Sequence, residues 1–296
     1  MASFSNWFKS TLTRISPRLN TEVVYFAKFH KRINLKNPRT LDEKIQWLKF
    51  HDYRDNKLVR DCADKYAVRK YIESCGCPEI LNDLYGVYDC AEDIPWDTLP
   101  EKFVAKWNFG CGENLIVHSK KALDIEDAKH KLDEWYKDKD TFYLPYAELQ
   151  YRGIEPKIVV ERFIEPAEGL LPVDYKFYCF NGNVACVLMC CGRQDDGHGT
   201  KYYFFDSNWN LLRYNKTGKA APQGFTLPKP EGIEKAFEYA SILSKPFPFV
   251  RADFYIEKGK VIFGELTFTP CGGYDTNRLP ETQLLFGDMV KTEGCK

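Results

Sequence analysis

The sequence predicts an α+β fold, and two observations carry this prediction. Apolar residues recur at helical spacing through the first third of the 296-residue chain, whereas alternating, strand-like segments dominate after residue 100. Helices and strands then follow one another without the strict βαβ alternation of a doubly wound sheet. The composition, 44% hydrophobic and 15% aromatic, supplies a dense core and excludes disordered, collagen-like and coiled-coil chains.

Three helices are predicted in the N-terminal region. The apolar residues between Phe4 and Ile15 recur at helical spacing. Thr40 and Glu43 form a capping box that opens a second helix. A third helix is predicted to start near Asp64 and to end before the Cys-Gly-Cys-Pro break at residues 75–78.

Strands dominate the remainder of the chain. Asn181-Gly182-Asn183 is a strong hairpin signal between two apolar runs. Two further helices are predicted, at residues 125–137 and 231–243. The predicted strands are 103–107, 115–118, 157–164, 175–180, 184–191, 202–205, 211–214, 249–256 and 261–268.

Charge is unevenly distributed, although the chain has 42 basic and 42 acidic residues. The first 40 residues contain eight basic residues and one acidic residue, a net charge of +7. A basic segment attracts anions, which here could be phosphate groups, an acidic saccharide or an anionic membrane surface. The alternative is a solvated face that balances the acidic remainder.

No stretch of the sequence suits a membrane-spanning helix or a secretory signal, so we expect a cytoplasmic protein. The 11 cysteines include no C-x-x-C pair, which favours reduced thiols over a zinc or disulfide site. No nucleic-acid partner is expected.

A lysine-bearing strand precedes a glycine-rich turn. Side chains alternate along Phe103–Trp107, so Lys106 shares a face with Val104 and would be half buried without a counter-ion. Phosphate groups would supply that charge, and Gly110 and Gly112 would let backbone N–H groups approach them. The chain contains neither a Walker-type phosphate loop nor a complete dinucleotide fingerprint. The alternative is a lysine that reaches solvent beside an ordinary β-turn.

The last predicted hairpin brings two acids together. If its loop contains the three residues 258–260, then Asp253 faces Glu265 and Arg251 faces Thr267. Two carboxylates directly across a strand pair repel each other unless a cation lies between them, and their oxygens suit Mg²⁺. Neutralising either acid should then preserve or raise stability in the absence of metal. The alternative is a salt bridge between Asp253 and Arg251 with Glu265 solvated, because a shifted register would separate the acids.

Several motifs follow one another along the chain: Asp64-Lys65, Phe-Val-Ala-Lys106, Val-Val-Glu161-Arg-Phe-Ile, Arg251-Ala-Asp253 and Glu265-Leu-Thr267. In this order they resemble the ATP-grasp enzymes. The segments 37–44, 99–106, 174–182 and 263–270 look like the branch associated with teichuronopeptide and capsular polysaccharide synthesis. The resemblance covers about residues 30–285.

The resemblance implies an ATP-grasp fold in which two α+β subdomains clamp ATP, preceded by a helical N-terminal region. It divides the chain into a helical region with a basic face at residues 1–95, a small lid subdomain at 96–165 and a large subdomain with the metal site at 166–296. ATP and Mg²⁺ are the implied cofactors.

The resemblance also implies roles for individual residues. The segment 161–164 would bind adenine through its strand edge. Asp174 would accept hydrogen bonds from the ribose hydroxyls, with Glu168 as the alternative. Arg251 and Lys106 would stabilise the transferring phosphoryl group. The implied metal ligands are Asp253, Glu265 and Thr267, the last of which stands where many ATP-grasp enzymes have Asn. The implied ATP-binding residues are Lys65, Lys106, Gly110, Gly112, Glu161, Arg162, Phe163, Ile164, Asp174 and Lys176.

We therefore expect an ATP-dependent carboxylate-amine ligase that acts through an acyl phosphate. By resemblance, it would join an amino acid or other small amine to a hexuronic acid of a cell-surface polysaccharide. Such an acidic saccharide could be lipid-linked and met at the inner membrane face. The alternatives are a phosphotransferase on a saccharide hydroxyl, a nucleotide-sugar glycosyltransferase that uses Asp138 and Asp140, and a non-catalytic binding module. A polar loop at residues 193–201 is a further candidate for substrate contact.

Overall fold

The computed structural model describes residues 2–192 and 199–292. The helices are α1 (Ala2–Ile15), α2 (Pro17–Phe29), α3 (Leu41–His51), α4 (Lys57–Ala63), α5 (Val68–Ser74), α6 (Ile125–Tyr136), α7 (Lys216–Ala220), α8 (Ile233–Ser244) and α9 (Pro280–Met289). The strands are β1 (Leu84–Tyr88), β2 (Phe103–Trp107), β3 (Leu115–Val117), β4 (Ile158–Arg162), β5 (Asp174–Phe180), β6 (Asn183–Cys191), β7 (Lys201–Phe205), β8 (Leu211–Leu212), β9 (Phe249–Glu257) and β10 (Lys260–Thr267). Most of the polar loop at residues 193–201 lies outside the described residues.

The strands form two antiparallel sheets. One sheet has four strands in the order β1-β4-β2-β3, and the other has six in the order β10-β9-β5-β6-β7-β8. Antiparallel sheets combined with segregated helices confirm the α+β prediction. In the part of the chain that the structure describes, no helix is long and apolar enough to cross a membrane.

The two sheets have separate hydrophobic cores. Buried residues between Ala91 and Val160 form the core of the four-stranded sheet. The six-stranded sheet instead shares its core with α8 and with apolar residues of the segment 41–80. Within residues 1–95, α3 to α5 pack with the six-stranded sheet while β1 pairs with β4 of the other sheet.

Local hydrogen bonds determine where the N-terminal helices begin. The Thr40 hydroxyl accepts from the N–H of Glu43, whose carboxylate accepts from the N–H of Thr40, so the predicted capping box opens α3. The helix predicted from Asp64 starts later, at α5. The Asp64 carboxylate accepts from the N–H groups two and three residues further on, at 2.8 and 3.0 Å. These bonds form a turn between α4 and α5, and Lys65 lies in that turn.

The β9–β10 hairpin has a shorter turn than predicted. Lys258 and Gly259 alone form it, with φ of 51° and 78°, and Lys260 pairs with Glu257. Two consecutive residues with positive φ match the right-handed twist of the flanking strands. The predicted three-residue loop is therefore wrong.

A bulge at Gly264 restores the predicted pairing further along the same hairpin. The register shifts at this glycine, beyond which Asp253 lies opposite Glu265 and Arg251 lies opposite Thr267. The turn is one residue shorter than predicted, and the bulge adds one residue to β10, so the two shifts in register compensate each other. As a result, the two acids are paired across the strands as the sequence predicts.

Candidate active site

A charged cleft lies between the two sheets. It encloses about 230 Å³ and is lined by both sheets and by the turn after β2. A second cavity of about 110 Å³ adjoins it and shares several of its walls. The charged side chains that line the first cavity are Lys65, Lys106, Glu113, Glu161, Asp174, Lys176, Asp253 and Glu265. The structure thus brings together most of the charged residues that the sequence singles out.

Lys106 lies on β2 and has a counter-ion, contrary to the sequence-based expectation. Its Nζ is 2.7 Å from a carboxylate oxygen of Glu161 on the neighbouring strand β4, and the other oxygen of Glu161 is 3.5 Å from Arg69. Burial would lower the pKa of Lys106, but the negative charge of Glu161 outweighs burial and raises it. Lys106 is therefore a fixed cation in the cleft wall.

Lys65 ties the turn between α4 and α5 to the glycine-rich turn. Its Nζ donates to the carbonyl oxygens of Phe109 and Gly110 at 3.1 and 2.7 Å, and its backbone N–H donates to Asn108 O at 3.0 Å. Burial lowers the pKa of Lys65, and the positive charge of Lys106 lowers it further. The turn itself requires glycine, because φ is 76° at Gly110.

Lys176 on β5 links the acids of the cleft. Its Nζ is 2.5 Å from Asp174 and 2.6 Å from Asp253. Arg251 contacts Asp253 from the other side, with Nε and Nη2 at 2.8 and 2.6 Å from the two carboxylate oxygens. The salt bridge that the sequence left as an alternative is therefore present. Burial raises the pKa of Asp253 to about 6, against the opposing charges of Arg251 and Lys176.

Glu265 completes the group from the opposite strand. Its Oε1 accepts from the Thr267 hydroxyl at 2.8 Å and lies 3.5 Å from Arg251, which also donates to Thr267 at 3.2 Å. Burial would raise the pKa of Glu265, but Lys176, Arg251 and Lys65 together hold it at about 2. Arg251 thus lies between the paired acids and offsets the repulsion expected there.

The donor atoms of this group can be compared with the needs of Mg²⁺. The carboxylates of Asp253 and Glu265 and the hydroxyl of Thr267 are hard oxygen donors on adjacent positions of one hairpin. Among residues 2–192 and 199–292, no cluster of three or more acidic, histidine or cysteine side chains is placed to hold a metal. Two acids and a hydroxyl nevertheless fit a magnesium ion, because Mg²⁺ is usually held by one or two carboxylates.

The adjoining cavity is more apolar and lies at the end of β4. Phe163, Ile164, Val104, Ile116 and Leu171 contribute to its walls. Such a slot suits a flat aromatic ring.

The end of β4, not its edge, is available to a ligand in this cavity. The sequence predicted adenine binding through the edge of the segment 161–164. The backbone of Glu161 and Arg162 pairs with strands or loops on both sides, because β4 is an interior strand. Adenine binding by backbone groups of this segment stays a prediction, and the strand pairing restricts it to Phe163 and Ile164.

Asn82, Glu113 and Tyr255 are among the cleft residues that were not singled out from the sequence. Asn82 and Tyr255 line both cavities, and Glu113 lines the charged one. Asn82 is buried and donates to Arg162 O at 2.8 Å, while its side-chain oxygen has no hydrogen-bond partner among the residues that the structure describes. Strand alternation could have identified Tyr255, which is two residues from Asp253 on β9, but Asn82 lies in a loop without any pattern.

The other acidic residues predicted to bind ligands do not line the apolar cavity. Asp174 lines the charged cavity rather than the apolar one, and Glu168 is exposed, so the choice between them for the ribose stays a prediction. Asp138 and Asp140 are exposed after α6, outside the lining of either cavity.

Two antiparallel sheets that enclose a cleft of lysines and acids beside an apolar slot define an ATP-grasp enzyme. The chain belongs to the TupA-like ATPgrasp family, whose model matches residues 43–291. The match confirms the family and the fold predicted from the sequence, and with them the prediction of an ATP-grasp enzyme. No curated protein sequence matches this chain.

Solved structures similar to this chain include D-alanine-D-alanine ligases and an L-amino acid ligase. D-alanine-D-alanine ligase from Bacillus anthracis complexed with ATP is 16% identical, with a TM-score of 0.48 over 78% of this chain and 66% of that one. The corresponding ligase from Helicobacter pylori is 14% identical, with a TM-score of 0.45 over 85% and 69%. L-amino acid ligase from Bacillus licheniformis is 13% identical, with a TM-score of 0.46 over 79% and 51%. The chain thus spans between about half and two thirds of these proteins.

Proposed function

We propose that the protein is an ATP-dependent carboxylate-amine ligase. The observation that carries this proposal is the convergence of Lys65, Lys106 and Lys176 with the acid pair of β9 and β10 in one cleft beside an apolar slot. Three lysines are suited to a polyphosphate, and the slot is suited to a base. Membership of the TupA-like ATPgrasp family supports the same assignment.

The proposed reaction has two steps. An oxygen of the substrate carboxylate attacks the γ-phosphorus of ATP, the bond to the β-phosphate oxygen breaks, and ADP leaves. An amine then attacks the carbonyl carbon of the acyl phosphate, loses a proton and expels inorganic phosphate. The products are an amide, ADP and phosphate, and every atom of the substrates is retained in them.

The protein contributes positioning and charge rather than covalent chemistry. Lys65 and Lys106 would hold phosphate oxygens, and Arg251 would face the oxygens that gain charge as the phosphoryl group transfers. Mg²⁺, when bound at Asp253, Glu265 and Thr267, would neutralise phosphate charge. The apolar slot at Phe163 and Ile164 would exclude water from the base.

The proposed carboxylate is a hexuronic acid of a cell-surface polysaccharide, and the proposed amine is an amino acid or another small amine. The resemblance to the teichuronopeptide and capsular polysaccharide branch supports this choice. The net charge of +7 over the first 40 residues is complementary to an acidic acceptor. In the same proposal the acceptor is lipid-linked, and the protein binds it on the cytoplasmic side of the inner membrane.

Trapping with hydroxylamine tests the acyl phosphate. Purified protein is incubated with Mg·ATP, hydroxylamine and a pool of uronic acids, and the products are identified by mass spectrometry. A hydroxamate of a sugar acid, formed with ADP and lost in Arg251→Ala, is the expected result. A phosphate ester on a sugar hydroxyl without any hydroxamate would contradict the ligase and favour the phosphotransferase.

A further inference from the structure

Exposed apolar side chains are concentrated on the first two helices. Half of the large apolar side chains that are exposed in the described structure lie between residues 7 and 26. They are Trp7, Phe8, Ile15, Leu19, Val23 and Phe26, with exposed fractions between 38% and 72%. Exposed apolar residues scattered singly are ordinary, but a cluster of this size on one helical hairpin marks an interaction surface.

The spacing of these residues places them on one side of each helix. Leu19, Val23 and Phe26 are four and three residues apart and form a stripe along α2 that also includes the exposed Glu22, whereas Asn20, Thr21, Val24 and Tyr25 on the other side are buried. On α1, Phe8 and Ile15 are exposed seven residues apart, whereas Trp7, which is also exposed, borders a cavity beside Phe142 and Pro145. Each helix therefore has an apolar side that the rest of the chain leaves uncovered.

The opposite side of the hairpin is fixed to the protein. The Thr13 hydroxyl donates to Leu144 O at 2.7 Å, and the side chain of Asn20 donates to Pro145 O at 3.1 Å. Both donors are fully or almost fully buried. The hairpin is thus attached through its inner side, and its exposed apolar side is a permanent feature of the surface.

Basic residues accompany the exposed apolar side. Arg14, Arg18, Lys28 and Lys31 are exposed on and beside the two helices. The only acidic residue in this part of the sequence is Glu22, which lies 3.1 Å from Arg18. Tryptophan, phenylalanine and leucine beside lysine and arginine are the composition of helices that lie in the interface of an anionic membrane.

We propose that the hairpin formed by α1 and α2 docks the chain on an anionic lipid bilayer. The exposed apolar side chains on the outer side of the two helices enter the boundary between headgroups and acyl chains, and the flanking basic side chains contact lipid phosphates. Helices of 14 and 13 residues are long enough to lie along the interface. This inference rests on no step of the proposed ligation, since it concerns only the surface of the hairpin.

Co-sedimentation with vesicles tests the proposal. The full chain is mixed with vesicles of phosphatidylcholine, or of phosphatidylcholine with phosphatidylglycerol, at low and high salt. We expect binding to the anionic vesicles, with a partition coefficient that falls as salt rises. Phe8→Ser combined with Phe26→Ser should lower the partition coefficient by about tenfold or more, because two interfacial aromatic rings are lost.

Charge-reversal and apolar variants elsewhere on the surface show whether the effect is specific to the hairpin. Leu284→Ser combined with Leu285→Ser removes exposed apolar residues from α9 and should leave vesicle binding unchanged. Lys28→Glu combined with Lys31→Glu should weaken binding, whereas the same reversal at Lys235 and Lys245 should have a smaller effect. Thermal unfolding of each variant checks that it folds.

Several results would overturn the proposal. The first is a native protein that does not bind anionic vesicles. The second is a Phe8/Phe26 variant that binds as strongly as the native protein. The third is an α9 control variant that loses as much binding as the Phe8/Phe26 variant. A dimer in sedimentation velocity without lipid, converted to a monomer by the Phe8 and Phe26 changes, would show that the face joins two copies of the chain. Hydroxamate formation in lipid-free solution is a separate measurement, so failure of lipid binding and failure of the ligase proposal are distinguishable.

Discussion

The side chain of Lys106 is held in the wall of the cleft by a counter-ion from a distant part of the chain. Strand alternation places its side chain toward the cleft, as observed. Its counter-ion, Glu161, lies on β4, and only the sheet order brings β4 beside β2. Cross-strand partners that are distant in the sequence leave no local signal, and the need for phosphate could not be inferred from one strand.

Replacement of Lys106 by methionine should weaken ATP binding. We expect the affinity to fall by about tenfold or more, because a charge-assisted hydrogen bond to phosphate is lost and Glu161 loses one of its cationic partners while Arg69 remains. Calorimetric titration with Mg·ATP measures the change. Lys131→Met, which removes an exposed lysine of α6 paired with Asp127, is the matched control and should bind ATP normally. Unchanged affinity in a folded Lys106→Met protein would remove this lysine from the site.

Asp253→Asn should lower stability, which reverses the expectation drawn from the sequence. The sequence favoured repulsion from Glu265 over a salt bridge with Arg251, but Asp253 is buried and paired with both Arg251 and Lys176. Removal of the Asp253 charge leaves the buried cations Arg251 and Lys176 less well compensated. We therefore expect the free energy of unfolding to fall by about 3 kcal/mol. Urea unfolding in the presence of a chelator provides the measurement. An increase in stability would show that repulsion between the two acids dominates.

At the scale of elements, the β9–β10 hairpin depends on two backbone features that the sequence does not display clearly. The acid pair was predicted from a loop length, but the loop is one residue shorter and the bulge at Gly264 compensates. A glycine within a strand pattern is compatible with a bulge or with close backbone approach, and nothing else in the sequence decides between them.

Gly264→Ala should disturb the alignment of the acid pair. A β-carbon at this position would lie 2.9 Å from Asp253 O and 3.3 Å from the ring of Tyr255. Since the backbone oxygen cannot easily move, we expect a loss of about 1–3 kcal/mol in unfolding free energy and a lower rate of ATP turnover. Lys258→Gly in the same hairpin is the control. There φ is 51°, so glycine should preserve stability or raise it by up to about 1 kcal/mol.

The contact between α3 and α9 should make stability depend on pH. Asp42 in the first turn of α3 is buried, and its carboxylate accepts from Arg278 at 3.2 Å and from Gln283 at 2.5 Å. Burial raises the pKa of Asp42 from 3.8 to about 7, despite the charge of Arg278. Between these two values the folded state binds more protons than the unfolded state, so stability falls as pH rises from about 4 to 7.

Comparison with Asp42→Asn isolates this effect, because other groups titrate equally in both proteins. The stability of the native protein relative to the variant should fall by up to about 4 kcal/mol between about pH 4 and pH 8. Urea unfolding at the two pH values checks the result. A difference that stays constant with pH would show that Asp42 remains ionised in the folded state.

At the scale of the whole molecule, the sequence predicted the individual helices and strands better than the way in which they pack together. Most strands and the later helices lie where periodicity placed them, because hydrophobic alternation is a local property. The grouping of α3 to α5 with the six-stranded sheet, and of β1 with the four-stranded sheet, arises from contacts between distant segments. Asn82 entered the cleft in the same way, from a loop between α5 and β1.

The two sheets are connected at the end of β4, where Glu257 of β9 binds Arg162. The Glu257 carboxylate lies 3.0 Å from the Arg162 guanidinium and accepts from the N–H of Glu165 at 2.8 Å. Phe163 and Ile164, which line the apolar slot, lie between these two contacts in the chain. Glu257 therefore holds the slot-forming segment against the six-stranded sheet.

Glu257→Gln should loosen this connection and weaken ATP binding. We expect the affinity for Mg·ATP to fall by about threefold to tenfold, while the free energy of unfolding falls by less than about 1 kcal/mol, because the ion pair is partly exposed. Glu165→Gln is the matched control, since it removes a nearby carboxylate that lies 2.8 Å from Lys102 and leaves the Glu257 contacts in place. Calorimetry and urea unfolding on both variants provide the measurements. Equal losses of affinity in the two variants would indicate a general effect of charge, whereas a loss confined to Glu257→Gln follows only if the connection between the sheets shapes the nucleotide slot.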